Sequence, residues 1–199
     1  TRGHNTQMRH DFTLAIRGRA LGDLLNGFMQ RIEFTADTVA NSQAPMSLGT
    51  LTTGGVGYTY AGRKLDMLGL NNVSMAHSAG ERRGNKNHAA FNKDVFFELM
   101  PDLFAPQFSA GGDQIPEQTA NMFPFKFSFW QASLQHLEQD QRFTDAYLPV
   151  AIILFVQDAT TKKQSTRIIT AWMRKEVLAS IKLRTSSYWV EVISPQSGE

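Results

Sequence analysis

An acid, two amides and two imidazoles lie within 23 consecutive residues near the middle of this chain. They are Asp66, Asn71, Asn72, His77 and His88. An amide side chain offers both donor and acceptor groups, an ionised carboxylate only acceptors, and a neutral imidazole one of each. Carbohydrate hydroxyl groups need such a mixed set of partners, so we interpret this segment as a candidate ligand-binding site.

The position of Asp66 leaves two interpretations open. It lies in a predicted strand over Arg63–Leu70, and open α/β sheets bind ligands beyond the carboxyl ends of their strands. A carboxylate there can accept a hydrogen bond from a sugar hydroxyl or act as a base. Alternatively, it accepts hydrogen bonds from backbone amides of the following turn, and Asn71 and Asn72 are equally common turn residues.

A basic loop separates the two histidines and precedes a predicted helix over Ala89–Leu99. Cationic side chains beside the first amides of a helix suit a phosphate group. A solvated surface loop is the alternative. The substrate-binding residues predicted from the sequence are Asp66, Asn71, Asn72, His77, Arg82, Arg83, Lys86 and His88, and no catalytic residue is assigned.

Other site chemistries find less support. A zinc site from His77, Glu81 and His88 matches no standard ligand spacing, so no metal is predicted, although these residues leave a metal- or base-dependent soluble enzyme as a further hypothesis. The glycines at 54–57 lack the G-x-G-x-x-G spacing of dinucleotide sites, and no cofactor is predicted. A Gly-x-Ser-x-Gly hydrolase motif is absent from the sequence.

The bulk composition is that of an ordinary globular protein. Of 199 residues, 42% are hydrophobic and 19% charged, and the net charge of +2 is too small to indicate a nucleic-acid partner. The absence of cysteine excludes disulfides and thiolate metal sites. The longest apolar run, Tyr147–Val156, is about half the ~20 residues of a membrane-spanning helix. The polar start at Thr1 suggests a soluble portion of a larger protein.

The hydrophobic pattern predicts alternating helices and strands in the first half of the chain. In order, these are a helix over 8–41 with a break near the glycines at 18–22, a strand over Leu48–Tyr60 that enters a glycine turn, a strand over Arg63–Leu70, a helix over Ala89–Leu99 and a buried strand at 103–105. This succession predicts an α/β fold with a mostly parallel, Rossmann-like three-layer sheet and covering helices.

The second half of the chain predicts an antiparallel extension of that sheet. Its predicted elements are a loop over 106–125, a short helix over Phe127–Leu137, and strands over Tyr147–Gln157, Arg167–Trp172 and Trp189–Ile193. The aromatic residues at 123–130 suit either a sugar-stacking or docking surface or the core. We expect an N-terminal helical segment over 1–45, an α/β domain over 46–194 and a disordered tail over 195–199.

Residues 54–105 resemble a known family. The segment reads Gly-Gly-Val-Gly-Tyr-Thr-Tyr-Ala-Gly, then Asp-Met-Leu-Gly-Leu-Asn-Asn, then Met-Ala-His, a basic loop and Pro-Asp. It is similar to the C-terminal soluble domain of polytopic membrane glycosyltransferases that use polyprenyl-phosphate sugars, of the arabinofuranosyltransferase-like kind. The matching residues are Gly57, Tyr60, Gly62, Asp66, Gly69, Leu70, Asn71, Ala76, His77, Gly84, His88, Pro101 and Asp102.

The resemblance implies an accessory domain at the periplasmic or extracytoplasmic face of the bacterial inner membrane, following a bundle of membrane helices. The catalytic acid would lie outside this chain. The expected partners are a glycan acceptor or a polyprenyl-phosphate sugar and the protein's own membrane domain. Asp66, Asn71 and His77 would then contact sugar hydroxyls, and the basic loop would face phosphate or lipid headgroups. The alternative is a stand-alone, envelope-associated module that binds a glycan or a protein without catalysis.

Overall fold

The computed structural model describes residues 2–34, 45–79, 90–106, 133–157, 161–162, 164–183 and 188–192. In these ranges the helices are α1 (Arg2–Met29), α2 (Thr53–Thr59), α3 (Val73–His77), α4 (Lys93–Leu99), α5 (Gln141–Ala146) and α6 (Lys175–Ser180), with a 3-10 turn at Leu137–Gln139. The strands are β1 (Ile32–Phe34), β2 (Leu48–Thr50), β3 (Lys64–Asp66), β4 (Leu103–Phe104), β5 (Tyr147–Gln157), β6 (Gln164–Arg174), β7 (Ile181–Leu183) and β8 (Tyr188–Val192). None of these helices combines the length and apolarity needed to cross a bilayer.

Strands β2, β3 and β4 form the parallel part of the main sheet. β2 lies between the other two, with Thr50 opposite Asp66 of β3 and Leu48 opposite Leu103 of β4. The chain therefore passes from β2 to one neighbour, and the next parallel strand lies on the other side of β2. The three strands follow one another along the chain as predicted, but α2 lies between β2 and β3, where no helix was predicted.

The C-terminal half completes the sheet with antiparallel strands. β5 and β6 form a long hairpin, β6 pairs with β4, and β8 pairs with β5, which gives the order β3-β2-β4-β6-β5-β8. The predicted mixed α/β fold with an antiparallel C-terminal extension is confirmed. Among the described strands, however, most of the paired residues are antiparallel. The reason is that the parallel strands are short, whereas the two hairpin strands have eleven residues each.

Two apolar clusters lie on opposite faces of this sheet. Successive residues of a strand point to opposite faces, and accordingly Ile152 of β5 belongs to one cluster and Ile153 to the other. The first cluster includes Leu25 of α1 and Val56 of α2, whereas the second includes Phe96 of α4. A shift of register by one residue would exchange the two faces, so burial on both sides fixes the positions of the strand ends.

Helices α1 and α2 approach so closely that glycine is required at their contact. A Cβ atom added to Gly55 would lie 2.0 Å from the carbonyl oxygen of Ala15, and one added to Gly22 would lie 2.1 Å from Oγ1 of Thr59. Asn26 of α1 also donates from Nδ2 to the carbonyl oxygen of Thr59 at 2.8 Å. The glycines therefore serve the packing of two helices.

Two predictions from this region are wrong for the same reason. The predicted strand over Leu48–Tyr60 ends at Thr50 and is followed by α2, and α1 continues through the break predicted near 18–22. Glycine lowers helix propensity by about 1 kcal/mol relative to alanine. A prediction from the sequence pattern includes only that penalty. In the structure, the packing of α1 against α2 offsets it.

At the amino ends of β2 and β4, Asp102 joins separate chain segments. Its Oδ2 atom accepts hydrogen bonds from the N–H and the hydroxyl of Ser47, each at 2.8 Å, and its Oδ1 atom lies 3.2 Å from a guanidinium nitrogen of Arg174. Nearby, the hydroxyl of Tyr60 donates to the carbonyl oxygen of Met46. Burial, together with the charge of Asp102, raises the pKa of Tyr60 above its ordinary value. The amino edge of the sheet is therefore stabilised by hydrogen bonds and an ion pair between these residues.

The C-terminal strands of the main sheet lie close to their predicted positions. The strand over Tyr147–Gln157 is confirmed, β6 extends the strand predicted over Arg167–Trp172, and β8 lies one residue before the predicted Trp189–Ile193. Helix α4 starts at Lys93, because Asn92 caps it by accepting hydrogen bonds from two backbone amides. The aromatic segment 123–130 and the tail 195–199 fall outside the described ranges, and the division at residue 45 stays a prediction.

Candidate ligand site at the carboxyl edge of the sheet

Asp66 closes the turn that follows β3. The residue is 3% exposed, and its Oδ1 and Oδ2 atoms accept hydrogen bonds from the backbone N–H groups of Leu68 at 2.9 Å and Asn71 at 2.8 Å. Gly69 permits this turn, because its φ of +82° is a left-handed conformation that favours glycine. The structure thus shows the turn-capping role, one of the two interpretations of Asp66. Its contact with a ligand stays a prediction.

Asn71 is exposed, and its side chain is anchored on two sides. The Nδ2 atom donates to the hydroxyl of Thr53 at 3.2 Å and lies 3.4 Å from Oδ2 of Asp66. The first contact ties the turn after β3 to the first residue of α2, which follows β2. Asn71 therefore lies where the carboxyl ends of two neighbouring parallel strands meet, and its orientation is set before any ligand arrives.

Asn72 and His77 mark the two ends of the short helix α3. The Oδ1 atom of Asn72 accepts a hydrogen bond from the N–H of Met75 at 3.2 Å, so this side chain is the N-cap of the helix. His77 lies in the last turn and is exposed, while Met75 is buried and anchors the helix. Ligand contact by Asn72 or His77 stays a prediction.

The residues that flank the basic loop lie close together. The Nδ2 atom of Asn92 donates to the carbonyl oxygen of Ala79 at 2.7 Å, so residues on the two sides of the loop are in direct contact. The side chains predicted to bind phosphate lie between these residues, in a segment that the structure does not describe. Their role stays a prediction: Arg82, Arg83, Lys86 and His88.

Sequence reasoning missed two threonine hydroxyls at the end of β2. Thr50 is fully buried, and the Oγ1 atoms of Thr50 and Thr52 are both shielded from solvent without a hydrogen-bond partner among the described residues. A buried hydroxyl without a partner costs about 1–3 kcal/mol. The signal that the sequence offered is the alternation of Thr50, Leu51 and Thr52, since residues two apart in extended chain share one face.

A second polar cluster links α4 to α5 and was also missed. Arg142 forms two hydrogen bonds to the carboxylate of Asp140, at 3.1 and 3.0 Å, and a third to Asp94 at 2.9 Å. The side-chain hydrogen bonds from Arg142 lower the pKa of Asp140 to about 2. The guanidinium group also lies 4.2 Å from the ring centre of Phe97. These charges are paired with one another, which indicates a role in holding two helices together.

The described residues contain no group of three or more acidic or histidine side chains placed to hold a metal ion. Comparisons of the chain with family models, with curated proteins and with solved structures found no match. The features of the chain that bear on function are therefore the geometry of the carboxyl edge and the motif in residues 54–105.

Proposed function

We propose that this chain is an extracytoplasmic accessory domain of a membrane glycosyltransferase. In this role it binds or orients a glycan acceptor or a polyprenyl-phosphate sugar donor in the synthesis of cell-envelope polysaccharide. The catalytic acid of the enzyme lies outside this chain, and the partner of the domain is its own membrane region. Its place is the periplasmic or extracytoplasmic face of the bacterial inner membrane.

The main support for this proposal is that Asn71 is exposed and is held in one orientation by its neighbours. Asp66 holds the backbone of Asn71, and Thr53 and Asp66 hold its side chain. An amide that is ordered before binding loses little conformational entropy when a ligand arrives. Its Nδ2 atom makes the internal contacts, and its Oδ1 atom can accept a hydrogen bond from a sugar hydroxyl. The exposed His77 and the basic loop supply further polar and cationic groups on the chain that follows this turn.

The proposal includes a Rossmann-like arrangement of three layers. Its support is the pair of apolar clusters on the two sheet faces, with α1 and α2 contributing to one and α4 and α5 to the other. In such folds the carboxyl ends of parallel strands are the usual place for a ligand. This is the edge at which Asn71 lies.

Titration calorimetry with two soluble ligands tests the proposal. The ligands are an arabinan hexasaccharide, which represents the acceptor, and farnesyl-phosphoryl arabinofuranose, which represents the donor. We expect at least one of them to bind, and we expect Asn71→Ala to weaken that binding by about tenfold, the equivalent of one lost hydrogen bond of about 1.4 kcal/mol.

Gln139→Ala is the matched control for this experiment. Gln139 is also an exposed amide, but it lies in the 3-10 turn before α5 and not at the carboxyl ends of the parallel strands. Its removal should leave the affinity unchanged. Failure of both ligands to bind, or equal effects of the two substitutions, would contradict the proposal.

The second candidate function is a stand-alone, envelope-associated module that binds a glycan or a protein. It is favoured by the exposed apolar side chains of Phe12 and Ile16, which lie one turn apart on α1, because neighbouring exposed apolar groups mark interaction surfaces. The full gene distinguishes the candidates. Hydrophobic membrane helices encoded before this segment support the first, and a gene that encodes this segment alone supports the second.

A further inference from the structure

Three large apolar side chains on α1 and α2 are open to solvent. Phe12 is 64% exposed, Ile16 is 65% exposed and Tyr58 is 77% exposed. Among the described residues, the other exposed side chains of this kind are Leu70, Val73 and Val192. The C-terminal half of α1 behaves differently, because Leu21 and Phe28 are fully buried in the cluster on one sheet face. The exposed side chains therefore add nothing to the core of the fold.

Contacts between α1 and α2 join these side chains into one surface. Phe12 and Ile16 lie one turn apart on α1, and Arg19 follows Ile16 after almost another turn. The guanidinium carbon of Arg19 lies 4.8 Å from the ring centre of Tyr58. Arg19 thus connects the apolar side chains of α1 with the aromatic ring of α2. We call these four residues the α1–α2 face.

The side chains of the α1–α2 face suit the boundary between water and lipid. Phenylalanine and isoleucine bury apolar surface at the boundary between headgroups and acyl chains. Tyrosine has an apolar ring and a polar hydroxyl, and it is enriched where a bilayer meets water. The apolar stem of arginine covers apolar surface while its charged head stays among polar groups.

The positive charge of the chain is concentrated in α1. This helix contains four arginines and two aspartates and neither lysine nor glutamate, which gives it a net charge of +2. The whole chain of 199 residues has the same net charge of +2, so the residues outside α1 carry no excess of either sign. Both Arg17 and Arg19 are exposed. A local excess of arginine beside exposed apolar side chains is complementary to a bilayer with anionic headgroups.

We infer that the α1–α2 face contacts the surface of a lipid bilayer that contains anionic lipids. In this contact Phe12, Ile16 and Tyr58 enter the headgroup region, and the exposed arginines pair with lipid phosphates. This role goes beyond the proposed function, because a domain can lie beside a membrane without touching lipid. It also concerns a different surface from Asn71, since sugar binding assigns no role to Phe12 or Ile16.

Co-sedimentation of the 199-residue chain with lipid vesicles tests this contact. Vesicles of phosphatidylcholine alone are compared with vesicles of equimolar phosphatidylcholine and phosphatidylglycerol. We expect the chain to bind the anionic vesicles about tenfold more tightly than the neutral ones. The preference should decrease as the salt concentration rises, because salt screens the attraction between exposed charges.

Phe12→Ala and Ile16→Ala remove apolar surface while alanine preserves the helix. Both side chains are exposed, so we expect the melting temperatures to stay unchanged, whereas each change should weaken binding to anionic vesicles by about tenfold. Val192→Thr is the control. Val192 is also an exposed apolar residue, but it lies on β8 and outside the α1–α2 face, so its replacement should leave vesicle binding unchanged.

Three results would overturn the membrane contact. The first is absence of binding to both kinds of vesicle, and the second is binding that neither alanine substitution weakens. The third is self-association of the free chain, measured by analytical ultracentrifugation, that both alanine substitutions abolish, because the α1–α2 face would then bind a second copy. The proposed function is tested separately with the two sugars. Phe12→Ala should leave their affinity unchanged, so either idea can fail while the other stands.

Discussion

The side chain of Asp66 shows how one buried carboxylate orders a whole turn. Its oxygens accept backbone amides within the turn, and the consequence is an ordered Asn71 at the surface. An acid at a strand end, followed three residues later by glycine, made this turn predictable from the sequence. The burial of Thr50 was not predictable, because it depends on packing against residues distant in the chain.

The low pKa of Asp140 gives a prediction about pH. The pKa is lowered from 3.8 to about 2, first by side-chain hydrogen bonds from Arg142. The unfolded chain therefore binds the proton more readily than the folded chain, and stability from this group rises with pH. Its contribution is complete above about pH 4 and is lost as the pH falls towards about 2.

Urea unfolding of the unmodified domain and of Asp140→Asn measures this effect. Asparagine keeps the N-capping ability at the start of α5 and removes the charge. We expect the difference in free energy of unfolding between the two proteins to be largest above about pH 4 and to narrow below it. A difference that stays constant down to about pH 2 would contradict the assigned pairing of Asp140 with Arg142.

At the scale of elements, the contact between α1 and α2 determines where α2 lies at the end of β2. Gly55 sits against the backbone of α1, and a Cβ atom there would lie 2.0 Å from the carbonyl oxygen of Ala15. Gly54, on the same helix, is exposed, and a Cβ atom there would meet nothing within 4 Å. A side chain at position 55 would therefore clash with α1, whereas a side chain at position 54 would not.

Gly55→Ala and Gly54→Ala form a matched pair of substitutions. We expect Gly55→Ala to lower the free energy of unfolding by about 2–3 kcal/mol, because a backbone oxygen cannot move aside without shifting a helix. Gly54→Ala should raise it by about 0.5–1 kcal/mol through helix propensity. Thermal unfolding followed by circular dichroism measures both, and equal effects of the two changes would refute the close helix crossing.

The elements that the sequence predicted well are those whose pattern is local. The strand over Tyr147–Gln157 is a long run of apolar residues, and α4 ends at Leu99, as the predicted helix does. The segment at 53–59 was mistaken for a strand because the packing partner of Gly55 is Ala15, which lies some 40 residues earlier in the chain. Local propensity does not contain such information, and tertiary packing overrides it.

At the scale of the whole molecule, the important feature is the reversal of winding at β2: β3 and β4 lie on its two sides, and α2 and α4 pack on opposite faces of the sheet. The sequence predicted the three parallel strands in their order along the chain, but not that β4 lies beside β2, since strand order in the sheet depends on contacts between residues far apart in the chain. The reversal places Thr50, Asp66 and Asn71 at one edge of the sheet. The amino edge, in contrast, is stabilised by the hydrogen bonds between Ser47 and Asp102 and by the ion pair between Asp102 and Arg174.

The most direct test of a sugar site at the carboxyl edge is a titration of the ¹⁵N-labelled domain with the arabinan hexasaccharide, followed by two-dimensional NMR. We predict that the amide signals that shift belong to residues 50–53 and 66–72, which surround the ends of β2 and β3. Shifts confined to other surfaces, such as the contact between α4 and α5 at Asp94 and Arg142, would contradict the central claim.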